Sequence, residues 1–171
     1  ALCFVKHAAA NTNAELGLLE KERRNAIVRA CEEIRSGELH DHFVVDVIQG
    51  GTGTSTNMNA NEVVCNRALE ILGHAKGDYK RLHPLDHVNA SQSTNDAYPT
   101  ALRIALYKLV EQLLTELSLL KDAFSDKSEE FDDILKMGRT QLQDAVPMTL
   151  GQEFHAWATM IEEDGKRLGE A

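Results

Sequence analysis

The sequence has no excess of basic residues and no long apolar segment. Its 171 residues include 18 Lys and Arg against 27 Asp and Glu, a formal net charge of -9. We expect no nucleic-acid partner, because binding nucleic acid requires a basic surface that neutralises phosphates. No apolar run approaches the roughly 18–20 residues of a membrane-spanning helix, so no membrane partner is expected either.

Cysteines are few, and the features of a signal peptide are missing. Cys3, Cys31 and Cys65 are widely spaced, odd in number and without the paired spacing of a zinc site. They indicate reduced thiols, and the sequence therefore favours a cytoplasmic protein. There is no initiator Met, and the last helical pattern continues to Ala171. We therefore expect an incomplete chain.

Helical periodicity is the dominant pattern that is present. Apolar residues at steps of three and four predict helices over residues 20–35 and about 57–72. A longer apolar stripe from Leu102 to Phe124 predicts a helix of about 30 residues, with Pro99 in its first turn. Thr149 and Gln152 fit a capping box that opens a last helix. Strands are scarce, so the predicted fold is mainly α with long bundle helices.

Three polar loops precede or join these helices. Residues 50–55 are rich in glycine, but they lack the Lys-Ser/Thr pair of a phosphate loop and the βαβ context of a dinucleotide site. A turn before a helix N-terminus suits a small carboxylate, although the spacing alone favours a purely structural turn. Residues 91–96 fit either a helix cap or an anion pocket. Residues 138–144 form a polar loop between two helices.

Metal and covalent chemistry have little support in the sequence. His40 and His42 flank Asp41, but such a pair on an acidic turn is more typical of a solvent-exposed segment than of a metal site. No order of Ser, His and Asp or of Cys and His indicates a nucleophilic triad. We therefore expect no metal site and no cofactor, and leave open an activating divalent cation.

The three loops together resemble the signature regions of the aspartase/fumarase superfamily. The matching segments are GTGTSTNMNANE at residues 51–62, HVNASQSTNDAYPT at residues 87–100, and GRTQLQDAVP at residues 138–147 with its continuation to residue 154. They occur in the order of the family, and the similarity extends over nearly the whole chain. Thr94, Tyr98 and Gln141 resemble the aspartase branch more than the fumarase branch.

This resemblance implies the architecture and the partners. Family members have three domains, so residues 1–92 would belong to a smaller N-terminal helical domain and residues 93–171 would begin the central helical bundle. The family also implies a homotetramer in which active sites are shared between subunits.

The activity that the resemblance implies is an anti-elimination on a four-carbon dicarboxylate. In the aspartase branch, ammonia leaves L-aspartate and fumarate remains, whereas fumarase or another lyase of the superfamily is the alternative. A third, non-enzymatic interpretation is an inactive helical fragment that only self-associates, since the leucine stripe of the long helix permits association.

The resemblance also implies roles for individual residues. By matching position, Thr54, Ser93 and Thr94 would donate hydrogen bonds to the β-carboxylate, where negative charge accumulates in the transition state. The residues facing the ammonium and α-carboxylate would be Asn95, Thr140 and Gln141. The catalytic serine of the family lies on a Gly-Ser-Ser loop that has no match in this sequence. No catalytic base is therefore assigned, and this polypeptide alone is expected to be inactive.

Overall fold

Helices account for most of the chain, in a computed structural model that describes residues 1–48 and 51–171. Five α-helices are described: α1 (Leu2–Glu15), α2 (Lys21–Arg35), α3 (Thr54–Ile71), α4 (Thr94–Glu130) and α5 (Leu150–Glu170). Two antiparallel strands, β1 (Leu135–Thr140) and β2 (Gln143–Thr149), a 3-10 turn (His40–His42) and a π-helical turn (Pro84–Val88) complete the regular structure of these residues. The predicted mainly α fold class is confirmed.

The chain divides into two compact units, Ala1–Ala105 and Leu106–Ala171. The division falls within α4, so this helix contributes its first residues to one unit and its remainder to the other. The predicted boundary between residues 92 and 93 concerns the domains of a longer fold, and it stays a prediction.

The first unit packs α1, α2 and α3 around a small apolar core. Its innermost side chains are fully buried: Ile27, Cys31, Val64, Leu69 and Leu82. The sequence pattern predicted α2 correctly but missed α1. The buried positions of α1 are Cys3, Lys6, Ala10 and Asn13, so the helix has almost no large apolar side chain that would mark its inner face.

Two helices begin earlier than their apolar patterns predicted. The helix α3 begins at Thr54 rather than near Asn57, and α4 begins at Thr94. Pro99 therefore lies inside α4 beyond the first turn, which corrects the predicted position. Each helix thus starts with a threonine from a polar loop, where the backbone N–H groups of the first turn lack partners within the helix.

The polar loop predicted between two helices at residues 138–144 is instead part of a β-hairpin. Leu135 pairs with Thr149 at its base, and Thr140 pairs with Gln143 beside the turn. The two turn residues, Gln141 and Leu142, both have positive φ, at 49° and 62°. Two-residue hairpin turns of this kind usually contain Asn or Gly, and neither occurs here, so the turn carried no sequence signal.

The helix α5 follows this hairpin and packs against α4 in the second unit. The predicted capping box is confirmed, since the Thr149 hydroxyl accepts from the Gln152 N–H and the Gln152 side chain accepts from the Thr149 N–H. A Cβ at Gly151 would lie 2.5 Å from the Ser128 carbonyl oxygen, so glycine permits close packing on α4. Beside this contact lies an aromatic cluster of Phe124, Phe131, Phe154 and Trp157.

Other parts of the sequence prediction concern shorter features. Residues 43–47 form neither helix nor strand, and Gly50 of the glycine-rich loop lies outside the described residues. Cys3, Cys31 and Cys65 are free thiols, as the sequence predicted, and all three are buried. No helix in the described part of the chain combines the length and hydropathy needed to cross a bilayer.

Candidate functional site

The N-termini of α3 and α4 meet in the first unit. Gly53, which immediately precedes α3, has a φ of +75°, and an added Cβ would lie 2.6 Å from carbon atoms of the Tyr98 ring. Both the backbone conformation and this contact require glycine. Beside them, the Thr52 hydroxyl donates to Asn95 Oδ1 over 2.9 Å. The first and second polar loops are therefore in direct contact.

Four of the six predicted binding residues belong to this meeting point. Thr54 is the first residue of α3 and is exposed. Ser93 precedes α4, Thr94 begins it and Asn95 follows, with Ser93 and Asn95 exposed and Thr94 half-buried. The structure thus places Thr54, Ser93, Thr94 and Asn95 at two adjacent helix starts.

The hydroxyl groups of Ser93 and Thr94 each accept a hydrogen bond from within the protein. Ser93 Oγ accepts from the Asn95 N–H at 3.2 Å, which is the geometry of a helix cap. Thr94 Oγ1 accepts from Asn57 Nδ2 at 3.0 Å. Because a hydroxyl can accept and donate at once, these contacts orient each oxygen and leave its proton for a carboxylate. The two interpretations of this loop, a helix cap and an anion site, are therefore compatible with each other.

The electrostatics of two helix starts favour an anion. The unpaired N–H groups of a first turn carry partial positive charge, which stabilises a nearby carboxylate. The first turn of α4 contains one acidic residue, Asp96, and the first turn of α3 contains none. In a chain with a net charge of -9, local positive potential of this kind is what an anionic ligand would require.

A buried amide network lies beneath the two helix starts. Asn89 Oδ1 accepts from Lys6 Nζ at 2.9 Å, from Asn57 Nδ2 at 3.2 Å and from Asn61 Nδ2 at 3.1 Å. Lys6, Asn57 and Asn61 are fully buried. Asn57 also reaches Thr94, so one amide side chain connects the network to a predicted ligand donor. These contacts hold the surface donors from below.

Sequence reasoning assigned no role to these network residues. Asn57, Asn61 and Asn89 lie inside the matched segments, which predict no individual role for them. Lys6 lies on α1, a helix that the apolar pattern does not predict. Lys6 lies three residues after Cys3 and four before Ala10, so the three share one face of a helix. This spacing is the sequence signal that could have identified Lys6.

The remaining two predicted residues lie in the second unit. Thr140 is the last residue of β1 and Gln141 is the first of the turn, and both are exposed. The neighbouring Arg139 forms an ion pair with Asp144 at 3.2 Å across the hairpin. The structure therefore assembles four of the six residues in one place and presents the other two on a separate unit.

The histidine-containing turns are held by local contacts. His40 Nε2 lies 2.8 Å from the Ile34 carbonyl oxygen, and His42 lies in the same 3-10 turn. His83 Nδ1 accepts from the N–H groups of Leu85 and Asp86 at 3.2 and 3.3 Å. Among residues 1–48 and 51–171, His, Cys, Asp and Glu form no cluster of three or more that could hold a metal ion.

The chain belongs to the lyase family, whose model, described as "Lyase", matches residues 1–171. The resemblance to the aspartase/fumarase superfamily that the three loops predicted is therefore confirmed. The aspartate ammonia-lyase of Pseudomonas aeruginosa is 60% identical over 168 residues, which are 98% of this chain and 35% of the relative. That of Helicobacter pylori is 56% identical over 167 residues, 98% of this chain and 36% of the relative.

Solved structures agree with this family. A fumarate lyase:delta crystallin from Brucella melitensis is 57% identical with a TM-score of 0.88, covering 99% of this chain and 38% of its own. A class II fumarase from Schistosoma mansoni is 37% identical with a TM-score of 0.80, covering 96% of this chain and 35% of its own. The chain thus spans little more than a third of the proteins that it matches.

Proposed function

We propose that the protein containing this chain is an aspartate ammonia-lyase, which removes ammonia from L-aspartate to leave fumarate. The observation that carries the proposal is the meeting of two helix N-termini, where Thr54, Ser93 and Thr94 present hydroxyl groups. Such a surface suits a carboxylate. The choice of substrate is supported by relatives at 56–60% identity that bear this name, against 37% for the fumarase.

The reaction demands stabilisation of one carboxylate above all. A base removes a proton from the carbon beside the β-carboxylate, and the electrons move into that group and give a dianion. When they return, the carbon–carbon double bond forms, the carbon–nitrogen bond breaks and ammonia leaves. Preorganised donors at the carboxylate oxygens lower the barrier for this step, each by about 3–4 kcal/mol. Thr54, Ser93 and Thr94 are the proposed donors.

The other end of the substrate would be bound by Asn95, Thr140 and Gln141. Asn95 Oδ1 accepts from Thr52, and this contact fixes the orientation of its amide. Gln141 cannot supply a proton at neutral pH, which is compatible with ammonia as the leaving group. The proposal assigns no base to residues 1–171.

Assembly into a homotetramer with shared active sites is part of the same proposal. It is supported by the half-exposed leucines along α4, such as Leu109 at 60% and Leu113 at 45% exposure. Isolated exposed apolar residues are ordinary, but a stripe of them along one helix favours association. Light scattering of the full-length protein would test the tetramer, and cell fractionation would test the proposed cytoplasmic location.

The activity is tested by adding L-aspartate to the purified full-length protein and following the ultraviolet absorbance of fumarate. We expect the absorbance to rise with L-aspartate and to remain flat with L-malate. A rise with L-malate and a flat trace with L-aspartate would identify a fumarase instead. A flat trace with both substrates, from a correctly assembled protein, would overturn the proposal.

A further inference from the structure

Lys6 is a fully buried lysine that pairs with amides rather than with a carboxylate. Its side chain has 0% exposure, and its ammonium donates to Asn89 Oδ1 at 2.9 Å and to Gln92 Oε1 at 3.0 Å. Burying an ammonium group without an opposite charge is costly, and amide oxygens compensate that cost only partly. A residue kept under such conditions is a candidate for a function beyond packing.

The two acceptors of Lys6 flank a strained turn. Ser91 lies between Asn89 and Gln92 and has a φ of 60°, which a non-glycine residue rarely adopts. The turn is closed by Asn89 Nδ2, which donates to the Gln92 carbonyl at 2.9 Å, and by Gln92 Nε2, which donates to the Val88 carbonyl at 2.9 Å. Such strain persists only where the surrounding contacts over-determine it. Lys6 supplies a contact to each side of the turn.

This turn leads directly into the proposed carboxylate donors. Ser93 follows Gln92, and Thr94 begins α4. A second route runs through side chains, because Asn57 donates both to Asn89, the acceptor of Lys6, and to Thr94. A displacement of Asn89 or Gln92 would therefore reach the donors through the backbone and through Asn57.

We propose that Lys6 is a positioning residue, whose buried ammonium holds the turn at residues 88–92 and thereby sets the positions of Ser93 and Thr94. Its catalytic consequence rests on the proposed function, whereas its structural consequence does not. The same ammonium adds positive charge beneath the site of a dianionic intermediate, without contacting the substrate.

The environment of Lys6 makes this contribution dependent on pH. Burial lowers the pKa of Lys6 to about 8, while negative charge on Cys31 or Cys3 would act in the opposite direction. These two groups, on α2 and α1, are the titratable groups that face it, and Arg35 acts on both thiols. The turn faces Lys6 with the uncharged side chains of Asn89 and Gln92. Lys6 therefore loses its charge as the pH rises through about 8.

The test compares full-length wild type with Lys6→Met and with Lys80→Met, an exposed control. Hydrogen exchange followed by mass spectrometry reports the turn without any assay of activity. We expect amides 88–96 to exchange at least ten times faster in Lys6→Met only. Steady-state kinetics with L-aspartate should show kcat/KM reduced by roughly ten- to a hundredfold, as expected for misplaced catalytic donors. We expect the kcat/KM of wild type to decline above about pH 8. This decline should be missing from the pH profile of Lys6→Met.

The outcomes separate the two proposals. If wild type lacks activity on L-aspartate, the proposed function fails, and the exchange data still decide whether Lys6 holds the turn. If the hydrogen exchange, the kinetics and the pH profile of Lys6→Met all match those of Lys80→Met, the positioning role proposed for Lys6 is wrong. Should Lys6→Met fail to assemble, Gln92→Leu removes the Lys6 hydrogen bond from its other end, together with the two bonds from Gln92 Nε2 to the Val88 and Ala90 carbonyls. It should then show the same faster exchange and lower kcat/KM, and wild-type values from Gln92→Leu would equally refute the proposal.

Discussion

The two groups of predicted binding residues are held in very different ways. Thr94 at the start of α4 is half-buried and bonded to Asn57, a fully buried residue of the amide network. Gln141 at the tip of the hairpin is exposed, and its neighbour Leu142 is 104% exposed. One group is thus fixed by contacts within its own unit, whereas the other is held by a two-residue turn.

This difference bears on where catalytic precision is built. An oxyanion donor has to be oriented before the reaction, since its reorganisation would add to the barrier. A residue that contacts the less demanding end of a substrate tolerates a looser setting. The proposed roles of Thr94 and Gln141 predict a contrast between the network beneath Thr94 and the exposed hairpin around Gln141, and the following changes test it.

The largest effect is expected from Thr94→Val. The change keeps the shape of the side chain but removes the hydroxyl that would donate to the carboxylate. We expect kcat of the full-length enzyme to fall by roughly a hundredfold or more, as loss of one oxyanion donor does. The fall in kcat is measured from the absorbance of fumarate in a steady-state assay.

A matched control for this change exists on the same helix. Thr115 is exposed, and its hydroxyl donates to the Glu111 carbonyl within α4. Thr115→Val should leave kcat within about twofold of wild type, because surface substitutions remote from a site have small effects. Equal rates for wild type and Thr94→Val would mean that the carboxylate binds elsewhere.

Local signals in the sequence predicted part of the fold and part of the site. The capping residues Thr149 and Gln152 act next to each other in the chain, so their pattern predicted the start of α5 correctly. Hydroxyl-rich loops before helices also favoured an anion site, which stays a prediction. By contrast, Lys6 contacts Asn89 and Gln92 more than 80 residues away. The spacing of Cys3, Lys6 and Ala10 could have marked Lys6 as facing inward. Contacts over such distances leave no local pattern, so its partners Asn89 and Gln92 could not be predicted.

A smaller effect is expected from Gly53→Ala, which tests how the two helix starts are joined. Gly17→Ala is the control, since Gly17 has nearly the same φ of +74° but nothing within 4 Å of an added Cβ. The control should lose about 1 kcal/mol of stability through backbone strain. Gly53→Ala should lose about 2 kcal/mol, because its Cβ also displaces the Tyr98 ring.

Thermal unfolding midpoints of the full-length protein compare the two variants, and kcat/KM adds a second readout. Only Gly53→Ala should reduce kcat/KM, since Thr54 and the start of α4 move apart when Tyr98 is displaced. Identical midpoints and identical kinetics for the two alanine variants would show that the contact with Tyr98 does not hold the first loop in place.

The smallest effect is expected in the hairpin, from Leu142→Gly. Leu142 has a φ of 62° and a fully exposed side chain, so glycine relieves strain without removing a packing contact. The greater entropy of glycine in the unfolded chain offsets part of this gain, and we expect a net stabilisation of about 0.5–1 kcal/mol. Leu135→Gly, at an exposed strand position without positive φ, should instead destabilise by about 0.5–1 kcal/mol.

Hydrogen exchange of amides 135–149 in the full-length protein would resolve these opposite signs. Slower exchange in Leu142→Gly and faster exchange in Leu135→Gly would place the strain of the hairpin at its turn. If Leu142→Gly lowers kcat while the hairpin is stabilised, the hairpin needs its strained turn to present Gln141. Precision would then be stored in the hairpin as well as at the helix starts, and the contrast between a fixed and a loosely held group would no longer hold.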